Sequence, residues 1–173
     1  MYTILVASLN ENMVLANKLQ AQLKELGKES GIINLVELNL PLYDSLKEEK
    51  NGIPSPISTL MATMEKSDGY IIVSPEYNGS TPPVLSNALA WISRANDDFR
   101  VLFNEKIILL ATHSGGDGTG LMQALRAQFI KLGSIILSRE IITTYEKKLN
   151  EKSSSKILEQ LLRFSQKNKE KVH

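Results

Sequence analysis

Gly69-Tyr70-Ile71-Ile72-Val73-Ser74-Pro75-Glu76-Tyr77-Asn78-Gly79-Ser80 is the stretch that decides the fold. Its first part is an apolar run without polar alternation, as expected of a strand covered by helices on both faces. Its second part, from Ser74 to Ser80, is rich in turn residues, and a helical pattern begins behind it near Pro83. A buried strand therefore ends in a loop. In an open α/β sheet, the loops at the carboxyl ends of the strands are where ligands bind.

Residues 3–7, 32–38, 106–112 and 134–137 share that apolar character and, with residues 69–73, read as five strands. Between them, residues 13–26, 57–66, 84–94 and 121–132 carry apolar side chains at helical spacing. In the first helix the stripe is Val14, Leu15, Leu19, Leu23 and Leu26, with Gly27 or Gly31 near its end. Such alternation implies right-handed βαβ crossovers and a parallel sheet. The tail from Ser153 places Ile157, Leu158, Leu161, Leu162 and Phe164 on one stripe and reads as a final covering helix with a lysine-rich solvated face. Residues 40–56 contain Pro41, Gly52, Pro54 and Pro56 and read as an irregular surface excursion, either a lid or an oligomer contact.

At 173 residues the chain has the length of one domain with a substantial core. Its 20 basic and 19 acidic residues are intermixed, so the charge balance offers nothing to nucleic acid or an anionic membrane. The absence of cysteine excludes disulfides, thiolate catalysis and iron–sulfur or zinc–thiolate sites. The amino terminus lacks the pattern of a signal peptide, and no apolar run approaches the ~20 residues of a membrane span. A cytoplasmic protein is expected. No GxSxG nucleophile elbow occurs, which argues against a hydrolase. Two separated histidines, His113 and the terminal His173, make a poor metal-ligand set, so no metal is expected. With no acid–base machinery in view, a bound cofactor is the natural carrier of the chemistry.

The loops after strands one, three and four would share one edge of the sheet. In the first, Ser8-Leu9-Asn10-Glu11-Asn12, the start of a helix favours a phosphate, with Ser8, Asn10 and Asn12 as side-chain donors. The other reading is that Asn12 only caps the helix. In the third loop Asn78 and Gly79 tolerate left-handed backbone angles, and Tyr77 offers an aromatic face. A tight turn carrying a surface tyrosine is the alternative. Glu76 has no carboxylate or histidine partner in view, so a salt bridge or a solvated position suits it better than a general-base role. In the fourth loop, His113-Ser114-Gly115-Gly116-Asp117-Gly118-Thr119-Gly120, four glycines in six residues suggest either close backbone approach to a ligand or a flexible connector. The GxGxxG spacing of a dinucleotide fingerprint is absent.

The stretch Ser74-Pro75-Glu76-Tyr77-Asn78-Gly79-Ser80, followed by Pro82, Leu85, Asn87, Ala88 and Trp91, resembles the signature of the NADPH-dependent FMN reductase family of the flavodoxin-like superfamily. A second match runs from Ser114-Gly115-Gly116 to Gly120, with Leu125-Arg126 in the following helix. The resemblance implies an α/β, flavodoxin-like three-layer sandwich with a five-stranded parallel sheet in the order 2-1-3-4-5, and one FMN-binding domain over residues 1–173. It also implies FMN with its phosphate near Ser8, Asn10 and Asn12. The isoalloxazine would lie against Pro75, Glu76, Tyr77, Asn78 and Gly79, with Ser114, Gly115 and Gly116 on its other side. No side chain is then a catalyst, because the flavin N5 carries the reaction.

The electron donor would be NADPH or NADH, and the acceptor a quinone, free flavin, azo compound or metal oxyanion. A homodimer or homotetramer is implied as well. The first loop departs from the family pattern: Ala7-Ser8, Asn10 and Met13 stand where a glycine-serine pair, an arginine and a second serine are common. Two alternatives remain beside the reductase. One is an FMN-binding or electron-transfer module without reductase activity, and the other is a member of the fold that has lost FMN.

Overall fold

The computed structural model describes residues 1–172, with side chains through Asn168, so His173 lies outside the described residues. Along the chain run β1 (Tyr2–Val6), α1 (Glu11–Glu25), β2 (Ser30–Asn34), α2 (Ser45–Asn51), α3 (Ser55–Glu65), β3 (Gly69–Val73), α4 (Pro83–Arg94), β4 (Ile107–His113), α5 (Thr119–Lys131), β5 (Ile135–Ile136), β6 (Ile141–Thr143) and α6 (Glu151–Val172). The strands lie in the order β2-β1-β3-β4-β5, all parallel, as the sequence predicts. Side chains alternate across the sheet. Leu5, Tyr70, Ile72, Ile108 and Leu110 join a core with α3, α4 and α5, while Ile4, Val6, Ile71, Val73, Ile107 and Leu109 join one with α1 and α6. Both faces are buried, which is why the strands read as apolar runs rather than alternating ones. No helix among the described residues is long and apolar enough to cross a membrane.

Three points differ from the sequence reading: the end of β2, the fifth lane of the sheet and the exposure of Phe164. β2 ends at Asn34 rather than continuing to residue 38, because Asn34 turns the chain: its Nδ2 donates to Ser8 O at 3.0 Å and its Oδ1 accepts from Val36 N at 3.0 Å. The fifth lane of the sheet is split. β5 pairs with Ile107 and Ile108, the chain steps away, and β6 rejoins β4 at Ala111. Arg126 braces the gap by donating to the carbonyls of Leu137 and Ser138 and pairing with Glu140. Along α6, Ile157, Leu158, Leu161 and Leu162 are buried as expected, but Phe164 stays 37% exposed and falls off the stripe.

The excursion after β2 is more ordered than its prolines suggest. α2 lies within it, capped where Asp44 Oδ1 accepts from Lys47 N at 2.8 Å, and α3 begins at Ser55 with Pro56 in its first turn. Asn87 and Trp91 of α4 hold the preceding strap: Trp91 Nε1 and Asn87 Nδ2 donate to Pro41 O at 2.8 and 3.0 Å, and Asn87 Oδ1 accepts from Tyr43 N at 2.8 Å. Tyr43 meets Trp91 edge to face at 5.0 Å, and its hydroxyl donates to Glu48, which also accepts from Arg94 Nε.

The Arg94 guanidinium and then the Tyr43 hydroxyl hold the Glu48 carboxyl below its ordinary value. A depressed carboxylate contributes above its unfolded pKa and loses that contribution as the pH falls through its folded one. Acid should therefore loosen the strap as the pH falls below the ordinary glutamate range. The fluorescence of Trp91, the sole tryptophan, should shift there while far-ultraviolet dichroism holds steady. Glu48→Gln should remove that transition, and an unchanged acid profile contradicts the clamp. A second prediction concerns Gly69, where a Cβ would lie 2.9 Å from Ile107 O and 2.8 Å from Ser165 Oγ of α6. Gly69→Ala should cost about 1–3 kcal/mol in urea denaturation, whereas Gly31→Ala, with open space around it, should change stability by less than about 0.5 kcal/mol. Equal effects at the two glycines would refute close packing of α6 on β3.

Candidate functional site

Parallel register brings the expected loops together. Val6 pairs with Val73 and Val73 with Ala111, so the loops after β1, β3 and β4 leave neighbouring strands at matched height. β1 is flanked by β2 and β3, and chain order reverses there. That is the switch point at which an open α/β sheet forms its crevice. A groove of about 650 Å³ lined by Met1, Gln20, Lys24 and Gly31 lies at the opposite, amino end of β1 and β2. Size alone would favour the groove, but it lacks converging strand-end loops and a cluster of turn backbone.

In the first loop Ser8 is buried and Asn10 exposed. Ser8 Oγ accepts from Asn10 N at 3.2 Å, and Ser8 O is held by Asn34. Asn10 is the N-cap residue of α1, without a side-chain capping bond; its carbonyl accepts from Met13 N and Val14 N. The backbone N–H groups of Glu11 and Asn12 therefore open the helix without intrahelical acceptors. Asn12 fits neither sequence-based role. Its Nδ2 donates to His113 O at 2.9 Å and its Oδ1 accepts from His113 N at 2.8 Å, so its amide stitches α1 to the end of β4.

The third loop is a two-residue hairpin. Tyr77 N donates to Ser80 O and Ser80 N to Tyr77 O, both at 3.0 Å, around Asn78 at φ 52° and Gly79 at φ 71°. Positive φ at both central positions defines a type I′ turn, for which Asn-Gly is the preferred pair. Pro75 is buried at its root, and Tyr77 is 52% exposed, which leaves its ring available to a ligand. The hairpin rests on α5: a Cβ at Gly120 would lie 2.5 Å from Gly79 O, so only glycine permits that approach.

In the fourth loop Ser114 is buried; its N donates to Thr143 O, and its Oγ donates to Glu76 Oε2 at 2.7 Å and accepts from Gly116 N at 3.1 Å. Glu76 Oε1 also receives Leu121 N at 3.4 Å. The sequence context suggested an ion pair or a solvated position for Glu76, but this half-buried carboxylate accepts from a hydroxyl and a backbone N–H instead. It bridges the third and fourth loops. His113 presents Nδ1 to Thr143 Oγ1 at 3.1 Å and stacks edge to face with Tyr145. Asp117 Oδ1 accepts from Thr119 N at 2.9 Å, and this bond keeps its carboxyl below the ordinary range.

The predicted residues Ser8, Asn10, Pro75, Glu76, Tyr77, Asn78, Gly79, Ser114, Gly115 and Gly116 all stand on these three loops, while Asn12 is committed to His113. Thr143 escaped the sequence reading and Gly120 was named there only as the end of the glycine-rich match, although both shape the site. Thr143 sits on a strand too short to signal itself, and Gly120 was one glycine among several. A Cβ at Gly79 or Gly115 would meet nothing within 4 Å, so both backbones border open space. Together with the exposed Tyr77 ring, that cradle fits a flat aromatic group brought against the backbone.

The family model for NADPH-dependent FMN reductase matches residues 3–147. The quinone reductase of Escherichia coli (strain K12) is 32% identical over 103 residues, which is 58% of this chain and 53% of that protein. A 2-hydroxy-1,4-benzoquinone reductase from Burkholderia sp is 34% identical over 85 residues, covering 49% of this chain and 45% of that protein. The chain spans about half the length of the curated relatives it matches. Among solved structures, the flavoenzyme NAD(P)H:(acceptor) oxidoreductase FerB from Paracoccus denitrificans superposes with a TM-score of 0.78 at 19% identity, over 96% of this chain and 97% of that one. That likeness extends the fold, flavodoxin-like, over nearly all of the chain. On its fold and on the family match, the chain belongs to the NADPH-dependent FMN reductase family.

Proposed function

We propose that residues 1–173 form one FMN-binding domain that passes a hydride from NAD(P)H, through bound flavin, to a small acceptor. A quinone, free flavin, azo compound or metal oxyanion fits that description. The observation that carries this reading is the type I′ hairpin at 77–80, seated on α5 beside the glycine loop at the sheet's switch point. Family membership and the quinone reductase names of the relatives support it.

FMN supplies the redox chemistry when bound, so the protein needs no nucleophile or general base of its own. What the chain contributes is position and polarity. With FMN bound, the N–H groups of Asn78, Gly79 and Gly115 would be the donors available to the ring, while that of Gly116 is already given to Ser114. Tyr77 provides a face for stacking. For the phosphate, Ser8, Asn10 and the first N–H groups of α1 are the donors, and residues 7–12 contain no lysine or arginine. A charged hydrogen bond is worth roughly 1.5–3 kcal/mol, so this anchor should bind FMN more weakly than one with an arginine. We extend the proposal to a cytoplasmic homodimer or homotetramer, which light scattering of the purified protein tests.

The engaged Asn12 and a first loop without a basic residue favour one rival, a member of the fold that no longer holds FMN. Isothermal titration separates the two: submicromolar FMN binding removes the rival, and no binding removes our proposal. Adding NADH and NADPH in turn to the FMN complex should bleach the flavin absorption, whereas a mere electron carrier would stay oxidised. A substitution tests the ring position. Asparagine accepts positive φ, so Gly79→Asn should preserve the turn yet place a side chain in the open cradle. FMN affinity should fall by about tenfold or more, and unchanged affinity in the folded variant would contradict the pose.

A further inference from the structure

A helix that opens behind a glycine-rich loop ordinarily presents free N–H groups to an external anion. At the start of α5 the chain supplies its own acceptors. Asp117 takes Thr119 N, Ser114 Oγ takes Gly116 N, and the Glu76 carboxylate takes the Ser114 hydroxyl and Leu121 N. The helix dipole favours a negative charge at that point. The same carboxylate sits at the root of the 77–80 hairpin, whose tip lies over Gly120 where a Cβ would be 2.5 Å from Gly79 O. The hairpin is thus tied to one helix terminus at both root and tip. Beneath the loop, Ser114 N is held by Thr143 O at 3.0 Å, so the terminus is fixed in turn to the edge of the sheet.

We infer that Glu76 is a positioning residue: its carboxylate, acting through Ser114 and the first turn of α5, is the internal anion that locks the third and fourth loops into one unit. Its effect on the flavin is indirect. It holds the N–H groups of Asn78 and Gly79 at a set spacing from that of Gly115. The functional consequence rests on the FMN reading given above, whereas the docking itself does not. Two features of the geometry separate this role from plain loop packing. Ser114 Oγ both donates to Glu76 and accepts from Gly116 N, so removing the carboxylate or the hydroxyl unties the third loop from the fourth. Glutamine keeps one acceptor oxygen but sets an NH2 in place of the other and removes the charge, so it should preserve the lock only in part, while alanine destroys it.

The test uses Glu76→Ala, Glu76→Gln, Ser114→Ala and the double alanine variant, with two readouts. Amide hydrogen exchange in cofactor-free protein reports the lock directly. In Glu76→Ala, exchange at Tyr77 and Ser80, whose amides close the hairpin, should quicken by about tenfold or more, while the β3 and β4 amides keep their protection. Glu76→Gln should show protection between that of the wild type and that of Glu76→Ala. FMN binding and the midpoint potential of the bound flavin report the consequence. Glu76→Ala and Ser114→Ala should each weaken FMN by roughly tenfold and shift the potential, and the double variant should be no worse than Glu76→Ala, because coupled partners are not additive. Unchanged exchange, or additive losses in the double variant, would overturn the inference. Should Glu76→Ala fail to fold, Ser114→Ala and Glu76→Gln carry the same test, with quickened exchange expected in both. If the wild-type protein binds no FMN, the functional proposal fails, while exchange still decides whether Glu76 locks the loops.

Discussion

Parallel pairing of β1 with both β2 and β3 is the constraint on which the rest of the molecule depends. Parallel neighbours cannot be joined by short turns, so each connection must cross a face of the sheet and cover it with a helix. Both faces thereby become core. The chain also has to reverse its lateral direction at β1, running first to β2 and then back to β3, and it opens a crevice where it does so. The matched register of Val6, Val73 and Ala111 then delivers three loop ends to one place.

Close backbone approaches convert that convergence into a shaped site. At the amino end of β3, Gly69 admits α6 against the sheet, and at its carboxyl end Gly120 admits the hairpin against α5. Polar side chains finish the assembly: Asn12 joins α1 to β4, Asn34 secures the first loop, and Glu76 joins the third loop to the fourth. These polar side chains are engaged within the protein, largely by its backbone, rather than facing outward. What remains directed at a ligand is largely backbone and the Tyr77 ring, as suits a site where a cofactor carries the reaction.

Much of this was legible in the sequence because strand burial and turn chemistry are local properties. The runs around Ile71 and Leu109 reported two-sided burial, and Asn78-Gly79 reported a turn with positive φ before any tertiary contact was known. The partners of polar side chains were not legible. Asn12 and His113 lie 101 residues apart, and no periodicity links them. Glu76 invited an ion pair, yet the donors to its carboxylate are a hydroxyl on the fourth loop and a backbone N–H in the first turn of α5. The split of the fifth lane depends on Arg126 reaching the carbonyls of Leu137 and Ser138, a contact with no sequence signature. Phe164 was placed on the apolar stripe by spacing, but its position on α6 turns it toward solvent.

The central claim is that a flavin lies at the carboxyl edge, between the hairpin and the glycine loop. Amide chemical-shift mapping during titration with FMN tests it most directly. The account predicts saturable shifts at Asn78, Gly79 and Gly115 for the ring and at Glu11 and Asn12 for the phosphate, with Lys24 and Gly31 at the amino-end groove unaffected. Shifts confined to that groove, or none at all, would contradict it.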